Sequence, residues 1–266
     1  MFNIDLSGKN GIVFGVSNRR SIAWAISEQL NRAGARMLFS YQGNRLHGTL
    51  SKLTANFSNP VLAECDLTDD AQIDSVFEKA HQEMGSLDFV VHSVAFAPKN
   101  TFLQPFAKVS REDWKLTMDV SAYSLVAISQ RASKLMTRGG SIITLSFIAS
   151  QRVVPGYNMM GIAKAALEAS ARFLAFELGP KGIRVNAISA GPLRTIAARS
   201  IPGFNITASQ ASSVSMLRRN IKHHEVAGLA LSLISDELSS GITGETIYVD
   251  AGYHAMGMVL DPTAED

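Results

Sequence analysis

The sequence predicts an α/β fold in which a parallel sheet of seven strands is covered by helices on both faces. Short runs rich in Val, Ile and Phe alternate with longer segments of helical periodicity. The short runs are apolar almost without interruption, as strands buried on both faces must be. The length, 266 residues, suits one domain spanning 1–266 and leaves little room for a second.

Gly11-Ile12-Val13-Phe14 reads as the first strand, followed by a loop and a helix from Ser21 to Ala33. Arg36–Tyr41, Pro60–Cys65 and Leu87–Ser93 read as the next three strands, with helical stretches at Asn44–Phe57 and Asp69–Met84 between them. A long helix is expected to start at Ser110, where Ser110-Arg111-Glu112-Asp113 resembles a capping box with Asp in the position of Glu. Ser141–Leu145 and Ile183–Ile188 follow as strands, joined by a helix over Asn158–Gly179, and Thr246–Val249 closes the set. Ile196–Met216 breaks the alternation. Rich in Ser, Ala and Thr, with Pro202-Gly203 inside it, this insert reads as a substrate-covering loop with one or two short helices.

Hydrophobic residues make up 46% and charged residues 18%, a globular balance, and the net charge of +2 gives no reason to expect a nucleic-acid partner. No apolar run is long enough for a membrane span, and Met1-Phe2-Asn3-Ile4-Asp5 lacks the basic and apolar regions of a secretory signal. The lone Cys65 rules out an intrachain disulfide and a cysteine-based zinc cluster. The expected location is the cytoplasm.

In a doubly wound sheet, ligands sit beyond the carboxyl ends of the strands, where strand order reverses. The first strand ends at Gly15, and Val16-Ser17-Asn18-Arg19-Arg20 leads into Ser21-Ile22-Ala23. A tight turn into a helix N-terminus can hold a pyrophosphate on backbone amides, with Ser21 offering a hydroxyl. The full Gly-x-Gly-x-x-Gly is absent, so these residues alone also fit an ordinary serine-capped turn. Position favours the Rossmann-type reading, because the loop follows the first strand of a βαβ pattern. The second strand ends in Ser40-Tyr41-Gln42-Gly43-Asn44-Arg45, without an acid. Gln42 can bond both ribose hydroxyls, which favours NADH. Arg45 fits either a 2′-phosphate contact, which would admit NADPH, or a solvated helix charge. Asp66, after the third strand, fits an adenine contact or a helix cap.

Tyr157 and Lys164 lie seven residues apart, about two turns of a helix, which would place both near one face. There the ammonium would lower the phenol's pKa and bond a cofactor ribose, while the phenol serves a substrate oxygen on which charge develops. Isolated Tyr and Lys residues at this interval also occur in many helices with no such role.

The run from Thr144 to Lys164, TLSFIASQRVVPGYNMMGIAK, resembles the active-site segment of bacterial enoyl-acyl-carrier-protein reductases of the short-chain dehydrogenase/reductase superfamily. That family spaces its Tyr and Lys seven apart, where most of the superfamily uses four. Gly15–Ala23, His92–Pro98, Arg184–Thr195 and Gly241–Tyr253 resemble further family segments in the same order, and the likeness runs from Leu6 to Leu260. The resemblance implies hydride transfer from NADH, or in some members NADPH, to the β-carbon of a trans-2-enoyl thioester on acyl-carrier protein. It implies a place in fatty acid biosynthesis and a homotetramer. Carried over by position, Gly15, Ser21, Ile22, Gln42, Asp66, Leu67, Val94, Lys164, Leu193 and Thr195 would contact cofactor. Tyr157 and Lys164 would be catalytic, and Ala97, Phe147, Tyr157 and Met160 would face the acyl chain.

Phe147 stands where the family usually has a second tyrosine, which keeps the ring and loses the hydroxyl. Asn205–Met216 lacks the family's Lys-Met, Met216 replaces a usual proline before Leu217-Arg218-Arg219, and Ala25 replaces a common glycine. These departures keep two alternatives open. One is a specialised reductase acting on a polyketide-type enoyl or keto substrate with the same Tyr/Lys pair. The other is a catalytically silent dinucleotide sensor, against which the retained Tyr157 and Lys164 count.

Overall fold

The computed structural model describes residues 4–199 and 201–257. The first three residues, Ser200 within the insert, and 258–260 at the end of the resembling stretch lie outside the described residues. Seven strands, β1 (Asn10–Phe14), β2 (Arg36–Tyr41), β3 (Val61–Glu64), β4 (Phe89–His92), β5 (Gly140–Ser146), β6 (Ile183–Ala190) and β7 (Thr246–Val249), form one sheet in the order β3-β2-β1-β4-β5-β6-β7. Every neighbouring pair is parallel, with Val13 paired to both Phe39 and Val91 at the centre. The chain winds outward from β1 to β3, then crosses back to β4 on the other side of β1. This is the doubly wound Rossmann-type arrangement, and it opens a crevice beyond the carboxyl ends of β1 and β4.

The eleven α-helices among the described residues are α1 (Ile22–Arg32), α2 (Asn44–Leu53), α3 (Asp70–Met84), α4 (Asn100–Leu103), α5 (Arg111–Met118), α6 (Ser124–Leu135), α7 (Met159–Leu178), α8 (Ile196–Arg199), α9 (Phe204–Val214), α10 (His223–Ile234) and α11 (Asp236–Ser239). A π turn, Asp119–Tyr123, joins α5 to α6. Alternate strand residues feed two cores. Phe89 and Val91 of β4 pack with Trp24, Ile26 and Leu30 of α1 and Val226, Ala230 and Leu233 of α10 on one face. Val90 packs with Ile73 and Phe77 of α3, Leu125 and Ile128 of α6 and Leu167 and Leu174 of α7 on the other. Burial on both faces explains the uninterrupted apolar strands.

Four local readings need correction. The second helix stops at Leu53, not Phe57. Phe57 lies beyond it, stacked on Trp24 with ring centroids 5.2 Å apart, so its apolar character serves the core from a loop. The Ser110 box forms only in half: Ser110 Oγ accepts from Asp113 N at 3.0 Å, while the Asp113 carboxylate is taken by Asn100 Nδ2 at 2.7 Å. The single long helix expected from Ser110 is interrupted by the π turn. Sequence reading also assigned no element where α10 lies. That helix starts after Lys222, which gives no capping signal, and buries Val226, Ala227, Ala230, Leu233 and Ile234 along one face. Its cap comes from Glu225, which accepts from Lys222 N at 2.6 Å and pairs with Arg219; that pairing holds its carboxyl near a pKa of about 2.

Candidate active site

Gly15 ends β1 with φ +98°, and a Cβ there would sit 2.0 Å from the Ser93 carbonyl oxygen. Only glycine permits that approach, which brings the loops after β1 and β4 together at the strand-order reversal. Ser93 N donates to Phe14 O at 3.1 Å and seals the same corner. The chain then turns through Asn18 into α1. Ser21 Oγ accepts from Trp24 N at 3.2 Å and donates to Asn18 O at 2.8 Å, so its hydroxyl caps the helix as the plainer reading expected. Ile22 is the first helical residue. The positive end of α1 thus sits at the mouth of the crevice, where backbone amides and helix dipole together suit a phosphate.

The ends of β2 and β3 lie side by side. Gln42 Nε2 donates to Asp66 Oδ2 at 2.8 Å, while Asp66 Oδ1 accepts from both Thr68 N and Thr68 Oγ1. Those Thr68 bonds, with the Gln42 bond, hold the Asp66 carboxyl below its ordinary pKa. Leu67 is half-buried against the α3 side of the core. The acid missing from the end of β2 comes from its neighbour. Glu64 Oε1 accepts from Gly43 N at 3.1 Å, a role invisible while each strand was read alone. Arg45 is exposed on α2.

At the other end of the crevice, Lys164 is buried and donates to Leu145 O at 2.7 Å. Burial pushes its pKa down to about 8, opposed by the Glu168 carboxylate one turn on. His92, fully buried at the end of β4, is pushed down to about 3 by burial and then by the charge of Lys164, so its ring is neutral. Val94 and Ala97 are half-buried in the loop that follows. Leu193 is buried after β6, and Thr195 Oγ1 accepts from Ala198 N at 3.0 Å to start α8.

Tyr157 corrects the helical picture. It precedes α7, in a turn where Tyr157 N donates to Val154 O and Met160 N to Tyr157 O. The next residue, Asn158, takes φ +41° and is tied through its side-chain amide to the Thr101 and Gln104 carbonyls. Both groups nevertheless reach the carboxyl end of β5. Lys164 bonds Leu145, and the Tyr157 ring lies 5.0 Å from that of Phe147, two residues further along. The expected lowering of the phenol's pKa is reversed as well. Burial raises it, because the cost of a desolvated phenolate outweighs any help from the ammonium. Tyr157 is accordingly a hydrogen-bond donor across the neutral range.

Phe147 also lines a cavity with Val154, Pro192, Thr207, Ala211 and Tyr253. Thr207 and Ala211 belong to α9, so the irregular insert borders this cavity. Met160 is buried in the first turn of α7 and is not among that cavity's lining.

A family model described as enoyl-(acyl carrier protein) reductase matches residues 15–254. The chain is 45% identical to "enoyl-[acyl-carrier-protein] reductase [NADH] 1" of Rhizobium meliloti, over 95% of this chain and 93% of that protein. It is 40% identical to an [NADPH]-designated enoyl-[acyl-carrier-protein] reductase of Staphylococcus aureus, over 95% of this chain and 99% of that one. A solved enoyl-(acyl-carrier-protein) reductase from Anaplasma phagocytophilum, in complex with NAD, superposes with a TM-score of 0.92 at 42% identity, covering 97% of this chain and 98% of that chain.

Proposed function

The chain belongs to the enoyl-(acyl-carrier-protein) reductase family, and from that premise we propose that it reduces the 2,3 double bond of a trans-2-enoyl thioester on acyl-carrier protein, using NADH, in fatty acid biosynthesis. The observation that carries the reading is the Tyr157 ring, held against Phe147 at the end of β5 with Lys164 anchored two residues back.

The crevice fits a dinucleotide. Gly15, where the loops after β1 and β4 close on each other, the start of α1 at Ser21 and Ile22, and the bonded pair Gln42 and Asp66 with Leu67 would border its adenosine and phosphate half. Val94, Lys164, Leu193 and Thr195 would hold the nicotinamide half. When bound, the reduced nicotinamide supplies a hydride for the substrate's β-carbon. As negative charge moves onto the thioester oxygen, Tyr157 donates its hydrogen bond or proton there. Lys164 positions the ribose, and Ala97, Phe147 and Met160 border the acyl chain. The carboxylate of Glu64 beside Gly43 repels a 2′-phosphate, which supports NADH over NADPH.

The reading includes a cytoplasmic single-domain subunit and a homotetramer. Phe173 and Phe176 on α7 are 76% and 84% exposed, an apolar pair that a second copy of the chain would cover. No helix among the described residues is long and apolar enough to cross a membrane.

The test is NADH oxidation with a trans-2-enoyl thioester beside the matching 3-keto thioester. Turnover of the enoyl substrate is expected, and turnover of the ketone alone would replace the reading with the specialised reductase. Phe147 and the uncharged α9 favour that second reading. Phe147→Tyr restores a hydroxyl beside Tyr157 and is expected to raise kcat/KM about fivefold, the worth of roughly one hydrogen bond. An unchanged kcat/KM would show that the ring alone suffices.

A further inference from the structure

The π turn at Asp119–Tyr123 and the residue that follows it hold two fully buried serines, Ser121 and Ser124, whose hydrogen bonds the reaction described above leaves unused. Such turns widen a helix by one residue at a cost in hydrogen-bond geometry, and they recur where a side chain must be re-aimed. Here the re-aimed group is Ser121. Its hydroxyl donates to Phe96 O at 2.7 Å and accepts from Phe96 N at 2.8 Å, so one side chain satisfies both backbone groups of a residue in the loop after β4. That loop carries Val94 on one side of Phe96 and Ala97 on the other.

The turn is itself pinned from the sheet. Ser124 Oγ lies 2.7 Å from Val120 O and 2.8 Å from His92 Nε2. A carbonyl only accepts, so the Ser124 proton lies toward Val120 and the ring must present Nε2–H to the hydroxyl. The neutral imidazole then has a bare Nδ1, which accepts from Thr144 Oγ1 at 2.8 Å. One unbranched chain of donors runs from Thr144 on β5 through His92 on β4 and Ser124 to the Val120 carbonyl inside the turn. Every proton in it is assigned, so the network has one arrangement. Thr144 precedes Leu145, the anchor of Lys164.

We propose that Ser121, aimed by this π turn and fixed through His92 and Ser124, is a positioning residue that sets the Val94–Ala97 loop against Tyr157 and Lys164. The proposal rests on the enoyl-reductase reading for its kinetic consequence, but the latch itself can be read without turnover. Loss of the hydroxyl frees the loop and leaves the reacting groups in place. Ser121→Ala is therefore expected to raise KM for a trans-2-enoyl thioester about tenfold, consistent with losing one or two hydrogen bonds, with kcat changed less than about threefold. Ser124→Ala acts one step removed and should move KM in the same direction by less, and Ser121→Thr, which keeps the hydroxyl, should restore KM. Amide hydrogen exchange provides the second readout. In Ser121→Ala the Phe96 amide should exchange at least about tenfold faster while amides of β4 keep their protection.

Unchanged KM in a folded Ser121→Ala protein, or an unchanged Phe96 exchange rate, would overturn the proposal. Loss of protection throughout the sheet would overturn it too, by making Ser121 structural. A wild-type protein that fails to reduce any enoyl thioester would instead sink the functional reading, with the Phe96 exchange result still deciding the latch.

Discussion

Phenylalanine at position 157 is expected to lower kcat for the enoyl substrate by about 10²- to 10³-fold, the usual cost of removing one donor from a developing oxyanion. NADH affinity should stay within about twofold, because the ring remains against Phe147 and only the hydroxyl is lost. Steady-state kinetics and a fluorescence titration with NADH check the two halves separately. The pH profile adds a sign. Burial raises the phenol's pKa above its ordinary value of 10.0, so Tyr157 stays protonated through neutral and mildly alkaline solution. Burial lowers the Lys164 pKa to about 8, so wild-type kcat/KM is expected to fall as pH rises through that range. The Tyr157→Phe enzyme should keep that same alkaline limb on its residual activity. Activity equal to wild type would remove Tyr157 from the chemistry.

The second large effect is expected at Gly15. Alanine there faces a backbone conformation unfavourable to any side chain and a carbonyl oxygen 2.0 Å from its Cβ. Ser93 is backbone and cannot swing aside, so β1 and β4 must separate at the corner the dinucleotide fits. Gly15→Ala is expected to weaken NADH binding by at least about 100-fold, and to lose roughly 2–4 kcal/mol of stability from left-handed strain plus the clash. Gly85→Ala is the control. Gly85 has φ +75° and nothing within 4 Å of where an alanine methyl would sit, so it bears the conformational cost alone. It should lose about 1–3 kcal/mol with NADH affinity unchanged. Isothermal titration and thermal unfolding of the two variants separate strain from site. A folded Gly15→Ala protein that binds NADH like wild type would contradict the placement of the crevice.

What could be read from sequence, and what could not, follows the range of the interactions involved. The central strands were legible because they bury both faces and so write their position locally, as in Phe89-Val90-Val91. Gly15 and the Ser21 cap were legible for the same reason: a turn and a helix start are set by a few consecutive residues. Helix α10 was not, because its cap is a glutamate three residues in and its burial comes from packing on α1. Phe57 misled because a loop residue can fill a core as well as a helical one. At the site, the seven-residue spacing treated Tyr157 and Lys164 as two turns of one helix, whereas Asn158, with its positive φ and its bonds to Thr101 and Gln104, starts the helix only after Tyr157. Glu64 near Gly43, Gln42 on Asp66 and Ser121 on Phe96 are all contacts between distant segments, and no single stretch of sequence announces them.

If Tyr157 serves a thioester oxygen, hydride must reach the carbon two bonds from that carbonyl carbon. The decisive experiment supplies NADH carrying deuterium at the transferable nicotinamide position, with a trans-2-enoyl thioester, and locates the label in the product by mass spectrometry or NMR. The expected product is a saturated thioester with deuterium on C3 and a solvent-derived proton on C2. Deuterium on a carbinol carbon from a 3-keto thioester, with the enoyl substrate untouched, would contradict that chemistry.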